Sequence, residues 1–246
     1  MTALLDVKGL TKNYGKLTAL HDVSFTVTDG EIVGLIGPNG AGKTTLIGIL
    51  SGAISASAGS VFYCGRSILG LRSYHIGELG IVRSFQLVQP FLHLTACECV
   101  MLGALFGATD KRSGSVRAAR ERAFALLEMV GLLDKVNTQA ELLNIPERKK
   151  LEIARVIAAR PKLLLLDEVM AGLSGNEVGE IITLLQTLRE EGVSIIVIEH
   201  VMHAIRDLSD RVIVLHHGEK IADGSIADVF AQDNVVQNYL RQTAPR

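Results

Sequence analysis

Residues 37–44 read Gly-Pro-Asn-Gly-Ala-Gly-Lys-Thr, and this spacing of glycines, lysine and threonine suits the binding of phosphate. Glycines let successive backbone N–H groups point toward one anion, and a following helix N-terminus adds positive potential. Lys43 would reach the outer phosphates of a nucleotide, and Thr44 would offer its hydroxyl to magnesium. The nucleotide-binding residues predicted in this loop are Gly37, Pro38, Asn39, Gly40, Ala41, Gly42, Lys43, Thr44 and Thr45.

A pair of acids, Asp167 and Glu168, directly follows the apolar run Leu163–Leu166. Asp167 would hold magnesium, directly or through water, and Glu168 is the natural general base for an attacking water. Taken alone, such a run is equally typical of a core strand followed by a surface turn. Beside the phosphate loop it indicates the second half of a nucleotide site.

His200 follows another apolar run, Ile195–Ile198, and is a candidate to contact the terminal phosphate. A lone histidine at the end of a strand is more often structural. Its spacing alone leaves both interpretations open.

These groups need a parallel sheet to bring them together. The continuous apolar run Glu31–Ile36 predicts a strand, and Lys43–Leu50 has helical periodicity, so the loop joins a strand to a helix. Leu163–Leu166 and Ser194–Ile198 predict buried parallel strands, with a helix over Val178–Glu190 between them. Ligands bind at the carboxyl ends of the strands of such α/β sheets.

The remaining segments predict two additions to this core. Short alternating runs from Leu4 to Val27 indicate an antiparallel sheet, and a further strand is expected at Val212–Leu215. The middle of the chain, from about Gly70 to Leu143, is predicted to be mostly helical. Its basic piece, Lys111–Arg122, suits a solvated helix face or a docking site for acidic groups, and an amphipathic stretch, Ala123–Leu133, follows.

Composition narrows the functional class. The chain has 246 residues, 48% of them apolar, with a formal net charge of −1, which gives no overall attraction to nucleic acid or anionic lipid. No export signal is visible, and no apolar run approaches the roughly 20 residues of a membrane-spanning helix. Cys64, Cys97 and Cys99 lack metal-ligand spacing and are expected to be reduced thiols.

Together these motifs resemble the ATP-binding cassette (ABC) family over almost the whole chain. Tyr14, beside Gly15, is similar to the aromatic residue that stacks on adenine, and His200 fits the family's switch histidine. Ser84-Phe85-Gln86 resembles the loop whose glutamine senses magnesium and faces the transmembrane subunit, which adds Gln86 to the catalytic and metal-site candidates. Residues 171–174 resemble the loop that communicates across a dimer of cassettes.

The resemblance implies an α/β P-loop NTPase with a mixed or parallel sheet core, an antiparallel β subdomain and a helical insertion lobe. A single domain over residues 1–246 is expected, with the lobe at roughly 88–160. Its expected cofactors are ATP and Mg²⁺, and its expected activity is ATP hydrolysis coupled to transmembrane transport. The implied partners are transmembrane permease subunits, a second cassette and, indirectly, a periplasmic or extracellular solute-binding protein. The expected location is cytoplasmic, on the inner face of the cell membrane.

Within the family, residues 83–86, 151–155 and 222–224 look most like subunits for the uptake of branched-chain amino acids. Cassettes for urea, short amides or another solute share this style. Two other classes stay open: a regulatory cassette that scarcely hydrolyses ATP, and a soluble cassette protein acting on nucleic acid. A GTPase is disfavoured, since the chain has no Asn-Lys-x-Asp motif.

The chief departure from the family lies at the signature loop, where Leu-Ser-x-Gly-Gln is replaced by Leu143-Asn144-Ile145-Pro146-Glu147. Asn144 and Glu147 can still form a capping box at a helix start. Pro146, however, has no N–H to offer a phosphate, and Glu147 adds negative charge where an anion would bind. The weakened half-site favours a heterodimer with a different cassette, although a homodimer stays possible.

Overall fold

The computed structural model describes residues 3–84, 91–107 and 115–231. Its strands are β1 (Ala3–Tyr14), β2 (Leu17–Thr28), β3 (Ile32–Ile36), β4 (Ala58–Tyr63), β5 (Arg66–Ser67), β6 (Ile81–Arg83), β7 (Leu163–Asp167), β8 (Ser194–Ile198), β9 (Arg211–His216) and β10 (Glu219–Gly224). Its α-helices are α1 (Lys43–Leu50), α2 (Ser73–Glu78), α3 (Ala96–Phe106), α4 (Val116–Met129), α5 (Ile145–Ala158), α6 (Gly175–Glu190), α7 (Met202–Leu208) and α8 (Ile226–Phe230), and short 3-10 turns span Leu133–Lys135 and Ala140–Leu142.

A six-stranded mixed sheet in the order β10-β9-β3-β8-β7-β6 forms the core. Five neighbouring strands are parallel, and β10 pairs with β9 in the antiparallel sense. Strands β3, β7 and β8 are buried at every position, as their continuous apolar runs require. The predicted α/β fold class with a mixed sheet is confirmed.

A four-stranded antiparallel sheet, β2-β1-β4-β5, covers one face of this core. The antiparallel sheet predicted over residues 4–27 is confirmed, because β1 pairs with β2 in the antiparallel sense. Apolar side chains of this sheet share one cluster with α1 and with Val33 and Leu35 of β3. Ile32 and Ile36, which point the other way, join the second cluster. Helix α1, which carries the phosphate loop, is therefore wedged between two sheets.

The second cluster contains the helices α3 to α6 and the opposite face of the core sheet. The prediction of a mostly helical segment from Gly70 to Leu143 missed strand β6, which pairs with β7 in parallel. Three residues are too few to show a strand pattern, and the register with β7 supplies their hydrogen bonds. The expected lobe at 88–160 begins outside the described residues, and the one-domain organisation stays a prediction.

Helix α4 (Val116–Met129) contains parts of both the basic piece and the amphipathic stretch, and the last residues of the amphipathic stretch, 130–133, lie beyond its end. Arg117 is exposed and pairs with Glu121, as a solvated face would. Arg122 is different, because its guanidinium donates to the carbonyl oxygens of Ile157 and Ala158 at the end of α5. The face is therefore only partly solvated, and Lys111 and Arg112 lie outside the described residues.

The other core elements fall close to their predicted bounds. The helix predicted at Val178–Glu190 begins earlier, at Gly175, because Ser174 and Glu177 form a capping box there. The cysteines within the described ranges are free, with Cys97 and Cys99 buried and Cys64 exposed. Within residues 3–84, 91–107 and 115–231, no helix combines the length and hydropathy that crossing a bilayer demands.

Candidate functional site

The phosphate loop connects β3 to α1 through backbone that only glycine adopts easily. Gly37 and Gly42 have φ angles of 149° and 102°. A Cβ at Gly37 would lie 2.1 Å from the carbonyl oxygen of Leu215, and one at Gly42 would lie 2.6 Å from that of Ala19. Both glycines are thus required by the close approach of β9 and β2 beneath the loop.

Lys43 begins helix α1 and folds its side chain back across the loop. Its Nζ donates to the carbonyl oxygens of Gly37 at 2.7 Å and Pro38 at 3.0 Å, and only 6% of the residue is exposed. Burial lowers the pKa of Lys43, and the negative charges of Glu168 and Asp167 oppose that shift. The ammonium is therefore held at the loop, within electrostatic reach of both acids.

The other predicted loop residues differ in their exposure. Asn39, Gly40 and Thr44 are exposed, whereas Ala41 is buried and Pro38, Gly42 and Thr45 are half-buried. The N–H of Ala41 donates to the carbonyl oxygen of Pro38 at 3.1 Å, closing a tight turn. The hydroxyl-bearing residue Thr44 thus lies in the first turn of α1, on the side open to solvent.

Asp167 ends β7 and is almost buried. Its Oδ2 lies 2.9 Å from Nη2 of Arg83, at the end of the neighbouring strand β6. Its N–H donates to the hydroxyl of Ser84 at 3.1 Å. Asp167 therefore stands at the carboxyl edge of the sheet, where the parallel order also delivers the loop after β3.

Glu168 and His200 meet directly. Oε1 of Glu168 lies 3.0 Å from Nε2 of His200, and the side chains are 26% and 38% exposed. Glu168 has a φ of 53°, a left-handed conformation unusual for a residue with a side chain, and its N–H donates to the carbonyl oxygen of Ile198. The carboxylate thus projects from a constrained turn into a position that solvent reaches.

The structure does not bring Tyr14 into this cluster, and it does not describe Gln86. Tyr14 is 46% exposed at the β1–β2 hairpin, opposite Leu17, and the ammonium of Lys12 lies 4.7 Å from its ring centroid. The same hairpin approaches the phosphate loop at Ala19, two residues after Leu17, which pairs with Tyr14 in the strand register. Gln86 lies outside the described residues, as does Phe85, while Ser84 before them is fully buried.

The altered signature forms the expected capping box at the start of α5. The N–H of Asn144 donates to Oε2 of Glu147 at 2.9 Å, and the N–H of Glu147 donates to Oδ1 of Asn144 at 2.9 Å. Pro146 contributes no N–H at all. The helix start therefore uses two of its donors internally and carries a carboxylate, while Ile145 and Leu142 beside it are exposed.

Sequence reasoning gave no role to Lys149 and Glu199, which lie against the turn bearing Glu168. The Nζ of Lys149, on α5, donates to the carbonyl oxygens of Glu168 and Ala171. Glu199, only 1% exposed, accepts the N–H of Met170 at 2.7 Å. Glu199 follows the apolar run of β8 as Asp167 follows the apolar run of β7, and this repeated pattern was a usable signal. Lys149 offered no such signal.

Comparison with known families gives one consistent result. The model of the ABC transporter family, described as "ABC transporter", matches residues 20–171. This range contains the phosphate loop, the signature position and the acids Asp167 and Glu168. The matched span is more than half of the chain.

Curated relatives match over nearly the full length. The chain is 36% identical to the high-affinity branched-chain amino acid transport ATP-binding protein LivG of Salmonella typhimurium, over 96% of this chain and 97% of that protein. It is also 36% identical to the corresponding protein BraF of Pseudomonas aeruginosa, with the same coverage.

Solved structures agree with the fold. A nucleotide-free ATP-binding cassette from an ABC transporter superposes with a TM-score of 0.87 at 27% identity, covering 97% of this chain and 99% of that one. The ADP conformation of an ABC transporter cassette gives the same TM-score and identity, covering 98% of this chain and 99% of that one.

Proposed function

The chain belongs to the ABC transporter family of ATP-binding proteins, and from this premise we propose that it is the ATP-hydrolysing subunit of an importer for branched-chain or related amino acids. The observation that carries the proposal is the constellation at the sheet edge: Lys43 in its loop, within electrostatic reach of Asp167 and Glu168. The whole of residues 1–246 would act as one ABC ATPase domain, with the helical lobe at roughly 88–160.

ATP would place its phosphates in the loop at residues 37–44. The Nζ of Lys43, which now donates to two loop carbonyls, would turn its donors to the outer phosphates. Loop N–H groups and the start of α1 add positive potential for the same anion. Tyr14, half-exposed at its hairpin, is proposed to stack on the adenine.

Glu168 is proposed as the general base that orients and deprotonates the attacking water. The contact of its carboxylate with His200 fixes the direction of the side chain, and the partial exposure of both leaves room for that water. His200 would also contact the terminal phosphate. Phosphoryl transfer depends mainly on positioning and charge stabilisation. The loop would hold the phosphates, and Glu168 with His200 would position the attacking water.

The residues present also suit Mg²⁺. Thr44 and Asp167 offer a hydroxyl and a carboxylate, the hard oxygen donors that this ion prefers, and Thr44 is open to solvent. When bound, Mg²⁺ would neutralise charge on the phosphate oxygens. Gln86 is proposed as a further ligand from the family resemblance. In this structure Arg83 pairs with Asp167 and compensates the charge of its carboxylate.

A groove beside Arg83 is the proposed docking surface for a permease subunit. Its cavity of about 430 Å³ is lined by Phe91, Phe106 and Arg155 as well as Arg83, which lies three residues before Gln86. Phe106 is largely exposed there. The chain would thus lie peripherally on the inner face of the membrane, and a solute-binding protein would reach it only through the permease.

A second, different cassette is the proposed ATPase partner. The capping box, the missing N–H of Pro146 and the carboxylate of Glu147 leave the start of α5 poorly suited to a phosphate. This chain's loop and acids would therefore work against a better signature on the partner. A purified chain that hydrolyses ATP as fast as the assembled complex would contradict the heterodimer.

The 36% identity to two branched-chain amino acid transport proteins supports that substrate class over urea or short amides. A cassette acting on nucleic acid or serving only as a regulatory module is not favoured, because Glu168 is present and the relatives are transport subunits.

The test is uptake of radiolabelled leucine by cells that carry the complete transporter, with wild-type chain or with Glu168→Gln. We expect the substitution to lower ATP turnover and uptake about a hundredfold or more, as removal of a general base does, while nucleotide binding persists. Unchanged uptake would refute the role of Glu168. Uptake of urea but not leucine would refute the proposed solute.

A further inference from the structure

Helix α5 contacts the turn that bears Glu168 through the side chain of Lys149. The ammonium of Lys149, in the second turn of the helix, donates to the carbonyl oxygen of Glu168 at 3.3 Å and also to that of Ala171. Both acceptors belong to the connection between β7 and α6. Lys149 therefore spans this connection from the side of the helical lobe.

The same connection is held from the opposite side by the end of β8. The N–H of Glu168 donates to the carbonyl oxygen of Ile198 at 2.9 Å, and the N–H of Met170 donates to Oε1 of Glu199 at 2.7 Å. Val169 and Met170 are buried, so the turn cannot shift as a free loop would. The N–H groups of Glu168 and Met170 are thus held from the end of β8, and the carbonyl groups of Glu168 and Ala171 from α5.

The conformation of Glu168 makes these carbonyl contacts energetically important. A left-handed φ of 53° costs a residue with a Cβ about 1 kcal/mol or more, so neighbouring groups must stabilise it. A hydrogen bond from a charged donor to the Glu168 carbonyl opposes rotation of that peptide. The direction of the Glu168 side chain depends on the same backbone angles.

We propose that Lys149 is a positioning residue for Glu168, so that the candidate base is correctly aimed only while helix α5 is seated against the turn. The inference rests on the proposed ATPase function. It adds that the position of the lobe carrying the signature affects the geometry of the turn that bears Glu168, and that Lys149 transmits this effect.

The neighbouring Lys150 provides a matched control. Its ammonium pairs with Glu180 of α6, so it also ties α5 to another element, but at a place outside the turn. A general loss of helix docking would appear in both variants. Loss of positioning would appear only at Lys149.

The experiment measures ATP turnover and nucleotide affinity of the assembled transporter with Lys149→Met, Lys149→Arg or Lys150→Met. We expect Lys149→Met to lower kcat about tenfold or more through misplacement of the base, with nucleotide Kd changed less than about twofold. Lys149→Arg, which restores a charged donor, should recover much of kcat. Lys150→Met should change neither quantity. Wild-type kcat in Lys149→Met would overturn the proposal.

A double-mutant cycle separates positioning from a merely structural role. If Lys149 acts through Glu168, adding Lys149→Met to Glu168→Gln should lower kcat no further. Independent, multiplicative losses would overturn the proposal. If Glu168→Gln alone retains full turnover, the proposed function fails first, which distinguishes the two failures. Should Lys149→Met fail to fold, Lys149→Gln serves as the uncharged variant in the same cycle.

Discussion

At the scale of single residues, Glu199 carries an ionisable group into the interior beside the candidate base. Among the residues that the structure describes, its Oε2 has no hydrogen-bond partner. Burial raises the pKa of Glu199 from 4.5 to about 7, opposed by the N–H of Met170 and the charge of Lys149. Between pH 4.5 and about 7, Glu199 is therefore mostly protonated in the folded chain and mostly ionised in the unfolded chain.

This predicts a pH-dependent effect of Glu199→Gln. Because the folded-state pKa is raised, the stability linked to Glu199 is present at low pH and is lost as pH rises toward 7. The amide keeps an oxygen for Met170 and does not titrate. Between pH 5 and 8, the free energy of unfolding of the wild type should fall about 2 kcal/mol more than that of Glu199→Gln.

Urea unfolding at several pH values checks this prediction. The exposed acid Glu121, replaced by glutamine, is the matched control and should follow the wild type. Wild-type and Glu199→Gln stabilities that fall in parallel across the range would contradict the account of Glu199.

Sequence alone predicted the residues of the loop and the acids Asp167 and Glu168, because the local order of residue types indicates their chemistry. It could not assign Lys149, whose contacts lie 19 and 22 residues further along the chain. It likewise left open the role of His200, which depends on the 3.0 Å contact with Glu168 across two neighbouring strands.

At the scale of secondary-structure elements, the start of α5 is stabilised by its own capping box. Asn144→Ala removes the oxygen that accepts the N–H of Glu147, which typically costs about 1 kcal/mol. We expect that loss in urea unfolding of the isolated chain. Its nucleotide affinity should stay unchanged, since the signature would serve the partner's site.

Thr95→Ala is the control for this variant, because Thr95 and Glu98 form the same kind of box at α3. It should cost a similar amount. A clear drop in the nucleotide affinity of isolated Asn144→Ala would contradict the view that this helix start serves another chain's nucleotide.

Elements with long apolar runs were predictable to within a few residues, as β3, β7, β8 and α1 show. The three-residue strand β6 was not, because its existence depends on pairing with β7. The contact of Arg122 with the end of α5 was also not predictable, since the carbonyl groups that it meets lie 35 and 36 residues further along the chain.

At the scale of the whole molecule, the phosphate-loop helix α1 and the helices α3 to α6 pack against opposite faces of the core sheet that bears the acids. Helix α1 lies between two sheets, and α5 contacts the turn of Glu168 through Lys149. Nucleotide bound at the sheet edge can thus act on the lobe that is proposed to meet the permease. The composition disfavoured a nucleic-acid interaction, and the family resemblance implied a second cassette. That this cassette differs from the present chain could be inferred only from the departure at the signature.

The central claim is that the loop at Lys43 binds the nucleotide, and titration calorimetry of the full chain with magnesium and a non-hydrolysable ATP analogue tests it most directly. We predict one binding site per chain and an affinity about tenfold or more weaker in Lys43→Ala, because a charge-assisted hydrogen bond to phosphate is lost. Lys150→Ala should bind as the wild type does. No binding by the wild type, or equal affinity in Lys43→Ala, would contradict the account.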